Sequence, residues 1–375
     1  MKIKLIAVFI IVLGFLSCEN QETVFEDFDT QSVFFPFQTP VRTIVQGDFD
    51  LGFNDNDNQG RFEIGVVMSG VVENREDRSV SFELAPELID ASLLGVDTVN
   101  VQALPSSYYT IEQESPVIIP SGSTDGRIGI QLNDAFFDDP LSYAPFGEAH
   151  YVIPLRITQI QNLDSLLTGI PIVDNPIRIN DADWNPAPKD YTLFGIKFIN
   201  KYSGVHLRRG ADRIVGTSVF NDFSGTPETT PIDTTSVYRA EFVVQDELAP
   251  VVTKGRSKAQ VFNRVRRGNI ASNAEVSLIL DFNDNGDITV SSAEDEPLVV
   301  TGTGRWLEDG DEWGGEPRNV IYLEYEYRDV EVVQDIFFGT VRSETTVDLL
   351  HTVRDTLVMR NRDVRFEEFT VNLER

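Results

Sequence analysis

From Ser32 onward the chain is a succession of short β-rich runs broken by turn chemistry, and no long stretch keeps a helical period. Ser32–Phe37, Arg61–Met68, Ser79–Leu84, Tyr108–Glu112, Arg127–Leu132 and Tyr151–Ile157 are runs of this kind. Ser79–Leu84 alternates polar and apolar residues, as a strand with one wet face does. Asn54–Gly60, Pro120–Ser123 and Asp138–Pro140 punctuate the runs with residues that favour turns. Pro86–Leu94 suits one short helical turn. Such a chain must bury its apolar faces between sheets, so residues 30–180 predict an antiparallel, immunoglobulin-like β-sandwich.

Asp181–Asp190 carries two prolines, which stiffen it and suit neither helix nor strand interiors, so residues 181–190 are expected to be a linker. Strands resume at Tyr191–Ile199 and recur at Ser236–Gln245, Gln260–Val265, Glu275–Phe282, Asp287–Ser291, Leu298–Gly302, Val320–Tyr327, Val347–Val353 and Asp355–Arg360. Asn285-Gly286 between two of them is a hairpin signal, because it supplies the positive φ angles of a type I′ turn. Antiparallel strands in this number, without long helices, predict a small up-and-down barrel over residues 191–375, or a second sandwich. A hollow barrel would be the natural ligand site. The whole chain is therefore read as all-β. With one cysteine in 375 residues no disulfide staples it, and stability must come from packed cores, for which the length and the 25 phenylalanines suffice.

That cysteine is Cys18. It follows Lys2, Lys4 and an apolar run, Leu5–Leu16, interrupted only by Gly14. Twelve residues in helix reach about 18 Å, short of a ~30 Å hydrocarbon core, so the run reads as an export signal and not as a membrane span. Phe15 three places before the cysteine and Ser17 just before it form a bacterial lipobox pattern, which predicts cleavage after residue 17 and a lipid attached to Cys18. An ordinary secretory signal cut near Ser17 is the alternative. Residues 18–29 are polar and acidic, a tether that lifts the folded part off the membrane.

The formal charge of −29 opposes nucleic acid and anionic head groups, so no nucleic-acid partner is expected. Three scattered histidines (His150, His206, His351) leave little for a histidine-rich metal site or a Ser-His-Asp engine. No cofactor is expected.

Longer phrases in the chain carry a family resemblance. Asp29–Thr43, with Ile118–Gly122 and Leu132–Phe137, resembles an adhesin-like N-terminal domain of unknown function found in Bacteroidota surface lipoproteins of polysaccharide-utilisation loci. Pro188–Asn200, Tyr202–Gly210 and Gly302–Gly314 resemble the lipocalin-like C-terminal domain, also of unknown function, that often follows it. The acidic residues after Cys18 likewise resemble a surface-export signal of such lipoproteins. The resemblance implies an immunoglobulin-like sandwich followed by a lipocalin-like barrel at a glycan-handling cell surface. The partners it implies are polysaccharide or oligosaccharide, the outer membrane through the lipid anchor, and a TonB-dependent uptake complex. It carries over no catalytic residues.

Four groups of residues are candidate sites. Trp306 and Trp313 beside Asp309, Asp311 and Glu312 offer flat rings for a sugar's C–H face and carboxylates for its hydroxyls; the alternative is a hairpin loop whose tryptophans close a barrel end. Arg208 and Arg209 concentrate positive charge that could hold a sulfate or uronate bidentately, unless internal carboxylates claim them; Arg264–Arg267 is a similar patch. Asn54–Asn58 and Asn283–Asp287 cluster oxygen ligands as calcium sites do, but lack the closing glutamate and read more simply as turns. Carboxylate pairs of a glycosidase arise by chance among 60 acidic residues. The expected function is a non-catalytic outer-membrane surface lipoprotein that binds or presents polysaccharide for uptake. The alternatives are a scaffold that binds another protein of the uptake complex, or a glycoside hydrolase.

Overall fold

The computed structural model describes residues 26–89, 101–267, 270–294, 296–371 and 373. The leader and Cys18 lie outside the described residues, as does most of the 18–29 segment.

The first unit contains β1 (Ser32–Phe34), β2 (Pro40–Val45), β3 (Arg61–Ser69), β4 (Arg78–Leu84), β5 (Gln102–Ala103), β6 (Tyr109–Ile111), β7 (Val117–Ile119), β8 (Asp125–Leu132), β9 (Tyr151–Gln161), β10 (Ser165–Leu166) and β11 (Tyr191–Ile199). Later strands are β12 (Gly204–Asn221), β13 (Glu228–Tyr238), β14 (Glu247–Gly255), β15 (Lys258–Arg267), β16 (Ile270–Phe282), β17 (Asp287–Ser292), β18 (Val300–Trp313), β19 (Glu316–Phe337), β20 (Thr340–Asn361) and β21 (Glu367–Glu368). The chain is all-β, as its pattern of short runs demands.

Five strands form one sheet of the first unit in the order β10-β1-β3-β8-β6, and a seven-stranded sheet, whose path is β21-β2-β11-β9-β4-β7 with β5 on β9, faces it. The alternation in β3 places Phe62, Ile64, Val66 and Met68 inward and leaves the intervening residues wetter. They meet Ile128 and Ile130 from β8 and Ile153, Leu155, Ile196 and Phe198 from the other sheet in a single core.

The boundary read from the sequence falls one strand early. Tyr191–Ile199, expected to open the C-terminal unit, is β11, which pairs antiparallel with β9 and parallel with β2 inside the seven-stranded sheet. Nor is 181–190 a free linker: Asp190 is buried against Arg178, 2.8 Å away, and Pro171 bridges to Trp184. The prolines correctly excluded regular structure there, but local composition says nothing about which sheet the next strand joins. β21, near the C-terminus, also returns to this sheet and pairs with β2.

In the second unit a nine-stranded sheet curls until β12 pairs with β20, so that eight of its strands, all but β13, form a closed ring. The expected hairpin joins β16 to β17, but its turn is not type I′: Gly286 has φ +83° whereas Asn285 does not take a positive φ, and the Gly286 carbonyl accepts from the Trp306 N–H at 2.7 Å. Gly302 and Gly304 stand opposite Tyr325 and Leu323. A Cβ on Gly302 would lie 2.5 Å from the Tyr325 Cβ, so these glycines make room for large inward side chains of β19. Asn54–Asn58 is a helical turn whose Asp57 is buried and accepts from Arg42 and from the Val45 N–H at 2.9 Å. These contacts are structural.

Four strands outrun the ring. The β12–β13 ladder extends from Gly210 to Phe220, beyond the β12–β14 ladder, and the β19–β20 ladder runs on to Phe337 opposite Thr340. This extension exposes Val330, Val332, Ile336, Phe337 and Phe338.

Candidate functional site

Inside the ring, alternation turns even-numbered residues of β12 and odd-numbered residues of β19 and β20 inward, by their shared register. Several of these residues are polar. The Asp355 carboxylate accepts from Arg208 Nε at 3.0 Å, from the Tyr325 hydroxyl at 3.0 Å, from Asn263 Nδ2 at 3.3 Å and from the Tyr238 hydroxyl. Asn263 Nδ2 also donates to the Tyr325 hydroxyl at 2.8 Å. β15 and β19 are opposite in the ring, four strands apart either way. That bond therefore spans the interior, and the ring is filled with side chains at this level.

Burial works against the charge of Arg208, but Asp355 and the tyrosine hydroxyls around it outweigh that, so its affinity for its proton rises above the usual arginine value. Burial foremost, then the Asp355 charge, pushes the Tyr238 and Tyr325 hydroxyls well above the ordinary phenol range, and they remain donors. A second buried pair sits farther along, with His351 Nδ1 2.8 Å from Asp212 and its ring stacked on Tyr327 at 4.4 Å.

His206, buried on the same inward face, is pushed down to about 4, mainly by burial, although a bond to the Gly204 carbonyl favours its charge. Between that value and the unfolded value of 6.5 the unfolded chain binds the extra proton, so stability falls as pH drops through this window. About 2 kcal/mol should be lost from this group at pH 5 relative to pH 7.5. Urea midpoints at the two pH values should show that drop in the wild type and a smaller one in His206→Leu.

The arginine candidates are thus withdrawn from any surface ligand. Arg208 is 4 % exposed and ion-paired with Asp355 at 2.9 Å, while Arg209 is paired with the buried Asp246 carboxylate. In an acidic protein, internal carboxylates claimed both.

The tryptophan cluster does not assemble either. Trp306 lies opposite Ile321 and Trp313 opposite Glu316, which are on different faces of β19. The two are an odd number of positions apart, so strand alternation sends them to opposite faces of β18, which the irregularity between Leu307 and Asp311 leaves unchanged, and the two rings share no platform. Trp306 closes the ring against Tyr202, centroids 5.4 Å apart, with Lys201 over its face at 4.5 Å. Trp313 packs under Arg318 at 5.2 Å. Asp309 adopts φ +50° in the irregular segment, Asp311 caps the Glu312 N–H at 2.8 Å, and Glu312 is exposed. Among the described residues no cluster of three His, Cys, Asp or Glu side chains is placed to hold a metal ion.

The structure instead brings together residues that sequence reasoning did not connect. A cleft of about 610 Å³ opens between the two units. Its walls come from the 140–150 loop (Tyr143, Phe146, His150) and from Val205, Val252 and Lys254 of the ring. Its floor is the Lys197–Glu367 ion pair, 2.7 Å and buried on both sides. Glu367 also accepts from the Gly147 N–H at 2.7 Å and Thr43 Oγ1 at 3.3 Å, and Lys197 donates to the Pro145 carbonyl at 2.8 Å. The floor is thus saturated, whereas His150 Nδ1 is buried with no partner among the described residues and the Phe146 ring is 55 % exposed. Arg365 lies over that ring at 3.7 Å. Arg362 ties the units beside the cleft by donating to the Asp48 and Asn200 carbonyls, both at 2.6 Å. Burial lowers its guanidinium to about 10, so it stays charged at neutral pH. An apolar concavity with a few converging polar groups is the usual form of a small-ligand site. Its residues are separated by as many as 324 positions in sequence, which is why no local motif announced it.

Residues 28–164 match the profile of an N-terminal domain family, and residues 201–363 match a domain of unknown function, DUF5627. Neither description mentions an adhesin or a lipocalin. No curated protein matches the chain. A crystal structure of unknown function from Bacteroides ovatus is 29% identical with a TM-score of 0.73, over 92% of this chain and 100% of that chain. An auxiliary nutrient binding protein from Bacteroides thetaiotaomicron (13% identity, 84% of this chain and 91% of that one) reaches only 0.36. A multidomain protein including DUF1735 from Bacteroides ovatus (14%, 89% and 96%) reaches 0.38; likeness at this level carries no argument. The domain matches and the first structure fit a Bacteroidota family of unknown function.

Proposed function

We propose that this chain is a lipid-anchored binding protein of the outer membrane, facing outward, which holds oligosaccharide segments in the cleft between its units without cleaving them. The observation that carries the reading is the cleft itself: exposed Phe146 and half-buried Tyr143 for a sugar's C–H face, beside exposed Lys254 for its hydroxyls. The lipobox pattern at Cys18 and the acidic segment after it supply the anchor and tether. In this reading the first unit is an immunoglobulin-like sandwich and the ring a lipocalin-like barrel.

Isothermal titration of the full chain in mild detergent against neutral, sulfated and uronate-containing oligosaccharides tests it. Saturable binding to at least one is expected, weakened about tenfold by Phe146→Ala with unchanged Tm. Binding to none of them would sink the reading.

A second reading, a scaffold within a TonB-dependent uptake complex, is favoured by the apolar side chains on the four-strand extension, notably Val330, Val332 and Ile336. Recovery of a membrane protein partner without glycan, lost in Val332→Glu, would select it.

A further inference from the structure

Charge is not balanced on the cleft. Among the described residues its lining holds the carboxylates Asp363 and Glu367 and the cations Lys197, Lys254 and Arg362. Glu367 is taken by Lys197, and Arg362 is held on backbone carbonyls with the charges of Asp48 and Asp50 supporting it. Lys254 remains, and beside the lining stands Arg365, whose guanidinium lies 3.7 Å from the centre of the Phe146 phenyl. Both side chains are exposed, and neither makes an ion pair among the described residues. Two free cations therefore face one free carboxylate, Asp363.

In a chain with 60 acidic and 31 basic residues this needs a local cause. Lys254 belongs to a run of alternating cations at the β14–β15 turn. Arg256 is claimed by Asp134 and Asp138, and Lys258 by Asp281, so Lys254 is left over. Its neighbours Thr253 and Gly255 stand opposite Ala259 and Lys258, which bring no acid to it. Arg365 is shaped for an anion. So close an approach to Phe146 permits only a face-on stack, because an edge-on guanidinium would push a nitrogen into the phenyl. Stacking leaves the forked N–H donors parallel to the phenyl and directed past its rim, where they match the oxygens of a carboxylate or a sulfate. It also holds the fork in place, so less side-chain freedom is lost on binding.

The surroundings select among anions. Phe146, Tyr143 and Val252 give a small inorganic ion nothing to rest on, and a neutral sugar leaves both cations unanswered. The negative charge of the whole chain is screened within about 8 Å at physiological salt, so the local groups decide. We infer that the saccharide held in the cleft is an acidic one, bearing carboxylate or sulfate groups. This rests on the cleft reading given above and narrows its ligand. An anionic group accepts from Arg365 at the rim of the phenyl, and Lys254 answers its charge from the wall formed by β14.

Calorimetric titration of the full chain in an uncharged detergent with matched ligands tests this. One couple is tetragalacturonate and its methyl ester, the other a sulfated galactan tetrasaccharide and its desulfated parent. In at least one couple the charged member should bind about a hundredfold more tightly at about 150 mM salt. Arg365→Gln and Lys254→Gln should each cut that preference about tenfold at unchanged Tm, since both side chains are exposed. A preference confined to the first couple assigns a carboxylate, and one confined to the second a sulfate. Equal affinity within both couples, or a preference that both substitutions leave intact, would overturn the inference. Equal affinity that Phe146→Ala still weakens would leave the cleft standing as a neutral-sugar site. Binding of no member of either couple, nor of any neutral oligosaccharide, would remove the cleft reading itself.

Discussion

Asp355→Ala is expected to lower the unfolding free energy of the ring by about 3–5 kcal/mol, since it leaves the Arg208 guanidinium charged, buried and without its counter-ion. The loss goes beyond one ion pair. Tyr238, Tyr325 and Asn263 all aim donors at the same carboxylate, and all three are buried. Tyr325→Phe deletes a single donor and should cost only about 1 kcal/mol. Urea unfolding followed by tryptophan fluorescence, with Trp306 reporting at the end of the ring, would measure both. An Asp355→Ala variant within 1 kcal/mol of wild type would mean that the cluster is not the interior anchor described above.

Glu367→Ala should cost about 3–5 kcal/mol for a related reason, because Lys197 would keep its charge in the floor of the cleft with only the Pro145 carbonyl beside it. This second pair also holds β21 near β2, so hydrogen exchange at Thr39–Val41 should rise along with the loss of stability. The double change Lys197→Met with Glu367→Leu removes both charges and should recover most of the loss. If Glu367→Ala alone is harmless, the cleft floor does not hold the C-terminal segment in place.

The all-β character was legible because it is written locally. Ser79–Leu84, the Asn285-Gly286 turn and the alternation in β3 each carry their period within a few residues. Strand membership is a different kind of information. Tyr191–Ile199 reads as a strand, yet its partners are β2, some 150 residues earlier, and β9, and no local pattern specifies either. The candidate sites failed through the same gap. Arg208 and Arg209 look like a basic patch in one dimension, but strand alternation sends the first into the ring, where Asp355 waits 147 positions away. Trp306 and Trp313 look adjacent, but they are an odd number of positions apart and strand alternation puts them on different faces. Conversely, the saturated Lys197–Glu367 floor arises only where distant strands meet, so nothing in its neighbourhood marked it.

The return of β21 to β2 and the late arrival of β11 have a consequence for how the molecule comes into being. The first sheet to emerge during synthesis cannot be completed until nearly the whole polypeptide is available, so its exposed edge must wait through the making of the entire ring. A shortened version ending at residue 190 should therefore behave as a sticky half-sheet, and the two halves of this protein are better regarded as one interlocked object than as beads on a string.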